Sequence, residues 1–176
     1  MMSFFIVSDQ TRASMRSKLF VPGSRPEFFA KALASQADAI SIDLEDSVVE
    51  SRKAEARATV REFLRSAEAR ATTKLIIVRI NAIDTPHFEA DVAAVAQSSL
   101  AMLNLPKAES AADIHAVAVT LERAEADNNL PCPIEILANI ETPKGLRCAA
   151  EIALAHRRVA GLHHLGILAL TTPPRS

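Results

Sequence analysis

Short apolar runs recur along the chain, each separated from the next by an amphipathic stretch. Residues 19–21, 39–43, 75–80, 100–105, 134–140 and 162–170 form six such runs. Their nearly continuous apolar character predicts strands buried on both faces, as in a parallel sheet. Between them the spacing turns helical. Ser24 with Glu27 predicts a capping box opening a helix to about residue 35, and Ser51 predicts the cap of a longer one. In that longer helix Ala56, Val60, Phe63, Leu64 and Ala67 share a face, leaving Arg52, Lys53, Glu55, Arg61, Glu62 and Arg65 to solvent. A helix over 88–97 follows. Ser110 with Asp113 opens another, striped by Ile114, Val117, Ala118, Leu121 and Ala124, with His115 off the stripe and at the surface. Thr142 as N-cap and Pro143 at the first helical position start the last helix, with Leu146, Ala149, Ala150 and Ala153 facing inward.

Six strand–helix alternations with short connections predict an α/β fold wound by right-handed crossovers. An open doubly wound sheet and a (β/α)8 barrel both satisfy the pattern. No Gly-rich phosphate turn follows the first strand, which argues against the nucleotide-binding form of the open sheet.

The length of 176 residues suits one domain, read as a flexible leader over 1–14 and a catalytic domain over 15–176. The leader has no basic region, and its apolar run is too short for a signal peptide or a membrane span; Met15 is a candidate alternative start. Twenty basic against 21 acidic residues give a net charge of -1, no footprint for nucleic acid or an anionic membrane. Small molecules or protein remain as partners. Cys132 and Cys148 fit no metal or disulfide spacing, which makes a reducing cytoplasm the expected location.

The chemistry gathers where the strands end. The second run passes directly into Asp43, Glu45 and Asp46, and the carboxyl ends of parallel strands are where ligands bind. By themselves these acids fit a solvated turn as well as a site. The later runs end in Arg79 and Asn81, in Lys107 and in Glu141. On either architecture these groups share one face, so acids and bases scattered in sequence meet at one mouth. Arg79 offers a planar fork for a carboxylate, and the acids offer oxygen ligands for a hard divalent cation.

Five ordered segments, Arg16-Ser17-Lys18-Leu19-Phe20-Val21-Pro22-Gly23, Asp43-Leu44-Glu45-Asp46-Ser47-Val48, Val78-Arg79-Ile80-Asn81, Leu105-Pro106-Lys107 and Ile140-Glu141-Thr142, resemble the motifs of the citrate lyase β-subunit-like branch of the HpcH/HpaI aldolase superfamily. The resemblance covers roughly residues 16–166. It implies a TIM-type (β/α) barrel, here incomplete with about six βα units, and a Mg2+-dependent carbon–carbon lyase acting on a 3-hydroxy-acyl-CoA of the citryl, malyl or citramalyl type. Mn2+ is an expected substitute. It further implies Arg79 as the clamp for the carboxylate of the 2-oxo acid, Glu141 as a direct metal ligand, and Glu45 and Asp46 acting on the metal through water. Lys107 would face the mouth, and Arg16 and Lys18 would approach CoA phosphates; each of these three also fits a solvated basic residue. The partners implied are a CoA thioester, a 2-oxo acid and further copies of the chain, as the family forms homo-oligomers.

The pattern breaks near the end. The family places a second metal carboxylate three residues after a glycine, where this chain has Ala169 after Gly166. A barrel typically needs about 250 residues, so six units predict unpaired edges at the first and sixth strands. The final residues read as the premature or frame-shifted end of a longer ancestor. Two expectations follow for function: an impaired CoA-ester lyase, or a noncatalytic remnant acting only through protein association.

Overall fold

The computed structural model describes residues 15–163 of the 176. The leader, Ala169 and most of the sixth apolar run lie outside the described residues.

Thirteen elements follow one another: β1 (Lys18–Pro22), α1 (Phe29–Leu33), β2 (Ala39–Asp43), α2 (Lys53–Arg65), α3 (Ala67–Ala71), β3 (Leu75–Arg79), α4 (Phe88–Val95), β4 (Met102–Leu105), α5 (Ala111–Asp127), β5 (Glu135–Asn139), α6 (Pro143–Arg147), α7 (Ala149–Leu154) and β6 (Val159–His163), with 3-10 turns at Pro26–Phe28 and Glu50–Arg52. The strands form one parallel sheet in the order β1-β2-β3-β4-β5-β6. A doubly wound sheet reverses its strand order part-way. Strict sequential order is that of a barrel, and this chain builds an open portion of one. Among the described residues β1 pairs only with β2 and β6 only with β5. The sheet curls far enough that Phe20 on β1 and His163 on β6 stand with ring centroids 6.5 Å apart.

Strand alternation splits the core in two. Val21, Ile40, Ile42, Ile76, Val78, Leu103, Leu105, Ile136 and Ala138 point outward under the helices and join the main core. Ala39, Leu75, Ile77, Met102 and Leu137 form a smaller cluster on the inner face. The predicted stripe of α5 is buried in full, and its Ser110–Asp113 capping box is formed. Arg158, entering β6, forks onto Glu125 of α5 at 2.7 and 2.8 Å.

Several helix starts differ from the sequence reading. Ser24 and Glu27 form no capping box: Pro26 begins a 3-10 turn with Arg25 as N-cap, and Glu27 pairs with the Arg25 side chain instead. Ser51 lies inside the second 3-10 turn, so α2 starts at Lys53 without a side-chain cap. The long helix breaks at Ser66, whose hydroxyl accepts from Ala69 N at 3.0 Å and caps α3. Thr142 caps α6 as expected, but that helix ends after one turn, leaving Leu146 48% exposed while Gly145 and Ile152 are buried. The sixth strand begins at Val159, three residues before the predicted run. No helix among the described residues is long and apolar enough to cross a membrane.

Candidate active site

The carboxyl ends of β2, β3 and β4 bring together five of the residues singled out from sequence. Arg79, the last residue of β3, turns its guanidinium toward β2, where Asp43 occupies the paired register position. Arg79 Nε and Nη2 donate to Asp43 Oδ1 and Oδ2 at 2.7 and 2.8 Å, a two-pronged pair between buried side chains. Nη1 donates to Asp46 Oδ2 at 3.2 Å and lies 3.1 Å from Glu45 Oε2. Lys107, after β4, puts Nζ 3.0 Å from Glu45 Oε1. Each buried oxygen of Glu45 thus faces one cation.

Environment separates the three acids. Burial opposes the charge of Asp43 most strongly, yet Arg79, Ser47 and the Glu45 amide together hold its carboxyl below the ordinary range. Burial pushes the Glu45 carboxyl up, and Lys107 and Arg79 offset this only in part. Asp46, with a 68% exposed side chain, faces solvent. Beside Glu45 the Lys107 ammonium is held above its usual value. Lys107 reaches this position from a left-handed backbone, φ 50°, which for a residue with a Cβ costs about 1–2 kcal/mol. Strain of this kind concentrates at functional sites.

Glu141 follows β5, half-buried, and its Oε1 accepts from Asn139 Nδ2 at 2.7 Å. Arg16 is not brought to this mouth. It precedes β1 at the opposite end of the sheet, 87% exposed and 3.9 Å from Asp38. Lys18 begins at that same end but lies on the inner face of the sheet, its Nζ 4.7 Å from the Phe20 ring centroid. A cavity of about 500 Å3 opens between β1 and the acid loop, lined by Phe20, Pro22, Asp43, Asp46 and Arg79 among others.

The acid loop is held from beneath by residues the sequence reading left in solvent or unassigned. Lys53 Nζ donates to Leu44 O and Glu45 O, both at 3.0 Å, and to Asn81 Oδ1 at 2.5 Å. Asn81 Nδ2 donates to Leu44 O at 3.0 Å and to Asp91 Oδ2 at 2.6 Å. Asp91 is 1% exposed and receives Arg57 Nε at 2.7 Å. The available signal was an acid at 91 on the apolar stripe of Phe88, Val92 and Val95. Gly23 closes the loop from the β1 side: its amide donates to Asp43 O at 2.8 Å, and a Cβ there would also lie 2.8 Å from that oxygen.

Comparison with known proteins gives the family. The family model described as HpcH/HpaI aldolase/citrate lyase matches residues 16–167. The chain belongs to the HpcH/HpaI aldolase/citrate lyase family. Within that family it is 35% identical over 164 residues to the L-malyl-CoA/beta-methylmalyl-CoA lyase of Cereibacter sphaeroides, covering 92% of this chain and 51% of the relative. The citrate lyase subunit beta of Leuconostoc mesenteroides subsp. cremoris is 34% identical over 148 residues, 84% of this chain and 48% of the relative. The chain thus spans about half the length of the curated relatives it matches. Among solved structures, the citrate lyase beta subunit of M. tuberculosis complexed with oxaloacetate and magnesium superposes with a TM-score of 0.69 at 36% identity, covering 88% of this chain and 60% of that one. CitE from the same organism, in complex with magnesium, acetoacetate and coenzyme A, gives 0.68 at 37% identity, covering 87% and 49%. The barrel-type sheet order is therefore that of HpcH/HpaI members.

Proposed function

We propose that this chain supplies the reacting face of a Mg2+-dependent carbon–carbon lyase that splits a 3-hydroxy-acyl-CoA into a 2-oxo acid and an acyl-CoA. The observation that carries the reading is the pairing of buried Glu45 and Arg79 with half-exposed Lys107 at the strand ends, with Glu141 just beyond the end of β5. Its support among relatives is the pairing of oxaloacetate or acetoacetate with magnesium in the M. tuberculosis structures.

The residues fit a hard cation. Asp43, Glu45, Asp46 and Glu141 put four carboxylates at this end of the sheet. No three acid, His or Cys side chains converge on one point among the described residues. Mg2+ does not require this, because one or two protein carboxylates with substrate oxygens usually suffice. Glu141 would hold it directly, and Glu45 and Asp46 would act through water. When bound, Mg2+ supplies charge stabilisation for the oxygen that becomes the ketone. The chain's own groups do the rest. The N–H groups of Arg79 that Asp43 and Asp46 leave unused take the oxo-acid carboxylate. Glu45, buried and held above the ordinary carboxylate range, takes the hydroxyl proton. Cleavage leaves the bonding electron pair on the thioester fragment, which is released as the acyl-CoA once protonated. A cytoplasmic location, homo-oligomeric assembly and Mn2+ as a stand-in for Mg2+ go with this reading as parts of the same proposal.

The test is release of 2-oxo acid from citryl-CoA and malyl-CoA by the purified chain with Mg2+. Turnover by the wild type that falls at least roughly 100-fold in Arg79→Met and Glu141→Gln supports the reading. Folded wild-type protein that releases nothing would favour the noncatalytic alternative.

A further inference from the structure

Phe20 is surrounded by nitrogens. Its ring centroid lies 4.7 Å from Lys18 Nζ, 5.7 Å from Arg79 Cζ and 6.5 Å from the His163 ring. Val21 packs outward under the helices, so Lys18, Phe20 and Pro22 share the inner face of β1. Lys18 therefore lies inside the curled sheet against Phe20, which itself lines the cavity.

The other cations of this region have oxygen partners. Arg79 has Asp43, Glu45 and Asp46, Lys107 has Glu45, and Lys53 has three acceptors. Lys18 Nζ is enclosed and has no hydrogen-bond acceptor among the described residues. Burial, with the charge of Arg79 added, lowers its pKa from 10.5 to about 8. Two fully buried side chains on the same inner face are unsatisfied as well: Ser41 at Oγ, and Asn104 at both amide atoms. The strand register sets Ser41 beside Phe20 and Asn104 beside Arg79. Buried polar atoms are nearly always hydrogen-bonded, so three side chains with unused donors on the inner face of one curled sheet describe a place for ligand oxygens.

We propose that Lys18 binds a second carboxylate on the 2-oxo-acid half of the substrate, with Ser41 and Asn104 as its neutral hydrogen-bonding partners. The proposal rests on the lyase reading and narrows it. The thioester carries a carboxylate-bearing branch on its hydroxyl carbon, of the citryl rather than the malyl type, and the released oxo acid is a dicarboxylate. An analogue without that group leaves the ammonium buried and unpaired, which is the situation in which polar sites discriminate most.

Calorimetric titration of the full chain with oxaloacetate and with pyruvate, both in Mg2+, tests this, since the two acids differ only in the second carboxylate. Wild type is expected to bind oxaloacetate the more tightly. Lys18→Met should weaken oxaloacetate roughly 10- to 100-fold and leave pyruvate within about twofold, while Lys18→Arg restores most of the loss. A Lys18→Met variant that binds both acids like wild type, or loses both equally, overturns the proposal. Should that variant not unfold cooperatively, wild type alone decides: equal affinity for the two acids overturns the assignment and a preference for oxaloacetate supports it. Wild type that binds neither acid marks failure of the lyase reading itself, and the role of Lys18 falls with it.

Discussion

Arg79 and Asp43 meet across β3 and β2 through two hydrogen bonds of 2.7 and 2.8 Å, with only 9% and 4% of their side chains exposed. Each charge offsets the cost of burying the other. Arg79→Met would strand Asp43 as a buried carboxylate and leave Glu45 to Lys107 alone, and breaking a buried pair in this way destabilises by about 3–5 kcal/mol. Arg79→Lys should recover little, because an ammonium cannot span both oxygens. Urea unfolding measures both, and a loss below about 1 kcal/mol for the methionine variant would show the pair to be dispensable.

The acids beside that pair should respond to pH in opposite senses. Asp43 is held below the ordinary range, so its contribution is present above its unfolded value of about 3.9 and is lost as pH falls through the lower folded value. Glu45 is held above the ordinary range, so the folded state retains its proton longer than the unfolded chain does. Relative to Glu45→Gln, the wild type should lose stability as pH rises from about 4.3 through the raised folded value, then level off. Unfolding free energies of the two proteins across that window are the check. A difference that does not change with pH, or that grows in favour of wild type, contradicts the assignment.

Lys18 predicts a slope on the alkaline side. Its folded pKa of about 8 lies below the ordinary 10.5, so between these values the unfolded chain binds the proton and the folded chain does not. Wild-type stability should therefore rise over that interval, and the rise should be missing from Lys18→Met. The same titration curves, extended to high pH, would expose parallel behaviour of the two proteins and so refute it.

Lys53 serves three oxygens under the acid loop. Lys53→Met keeps the length of the stem but removes every donor, leaving Asn81 Oδ1 without its partner. A cost of about 1–3 kcal/mol is expected, together with faster amide exchange in the Glu45–Ser47 stretch. Exchange rates unchanged there, with stability lost elsewhere, would mean that the loop is set by Arg79 and Gly23 alone.

The strand ends were legible in sequence because a parallel sheet forces them onto one face, whatever its closure. Arg79, Glu45, Asp46 and Lys107 could be grouped from that rule, and the Ser110–Asp113 box from its spacing. What escaped were contacts that depend on three-dimensional neighbours. Lys53 reads as a wet-face residue until the first turn of α2 is seen to lie under the acid loop. Asp91 reads as one charge on a helix until Asn81 and Arg57 are found against it. The Ser24–Glu27 spacing misled because Pro26 imposes a tighter turn and Arg25 captures the glutamate. Asp43 was visible as an acid at a strand end, but its role as the partner of Arg79 required the β2–β3 register.

The central claim is that Arg79, Glu45 and Glu141 form a working oxo-acid and metal site in this chain. A thermal unfolding scan with Mg2+ and oxaloacetate, each alone and then together, tests it most directly. Ligands that bind only the folded state at a hundredfold excess over Kd add about 2.7 kcal/mol, worth roughly 5–10 °C for a chain of this size. The account predicts a cooperative transition whose midpoint rises by that order with both ligands present, and much less with either alone. A midpoint that ignores the pair, or the absence of a cooperative transition, would contradict it.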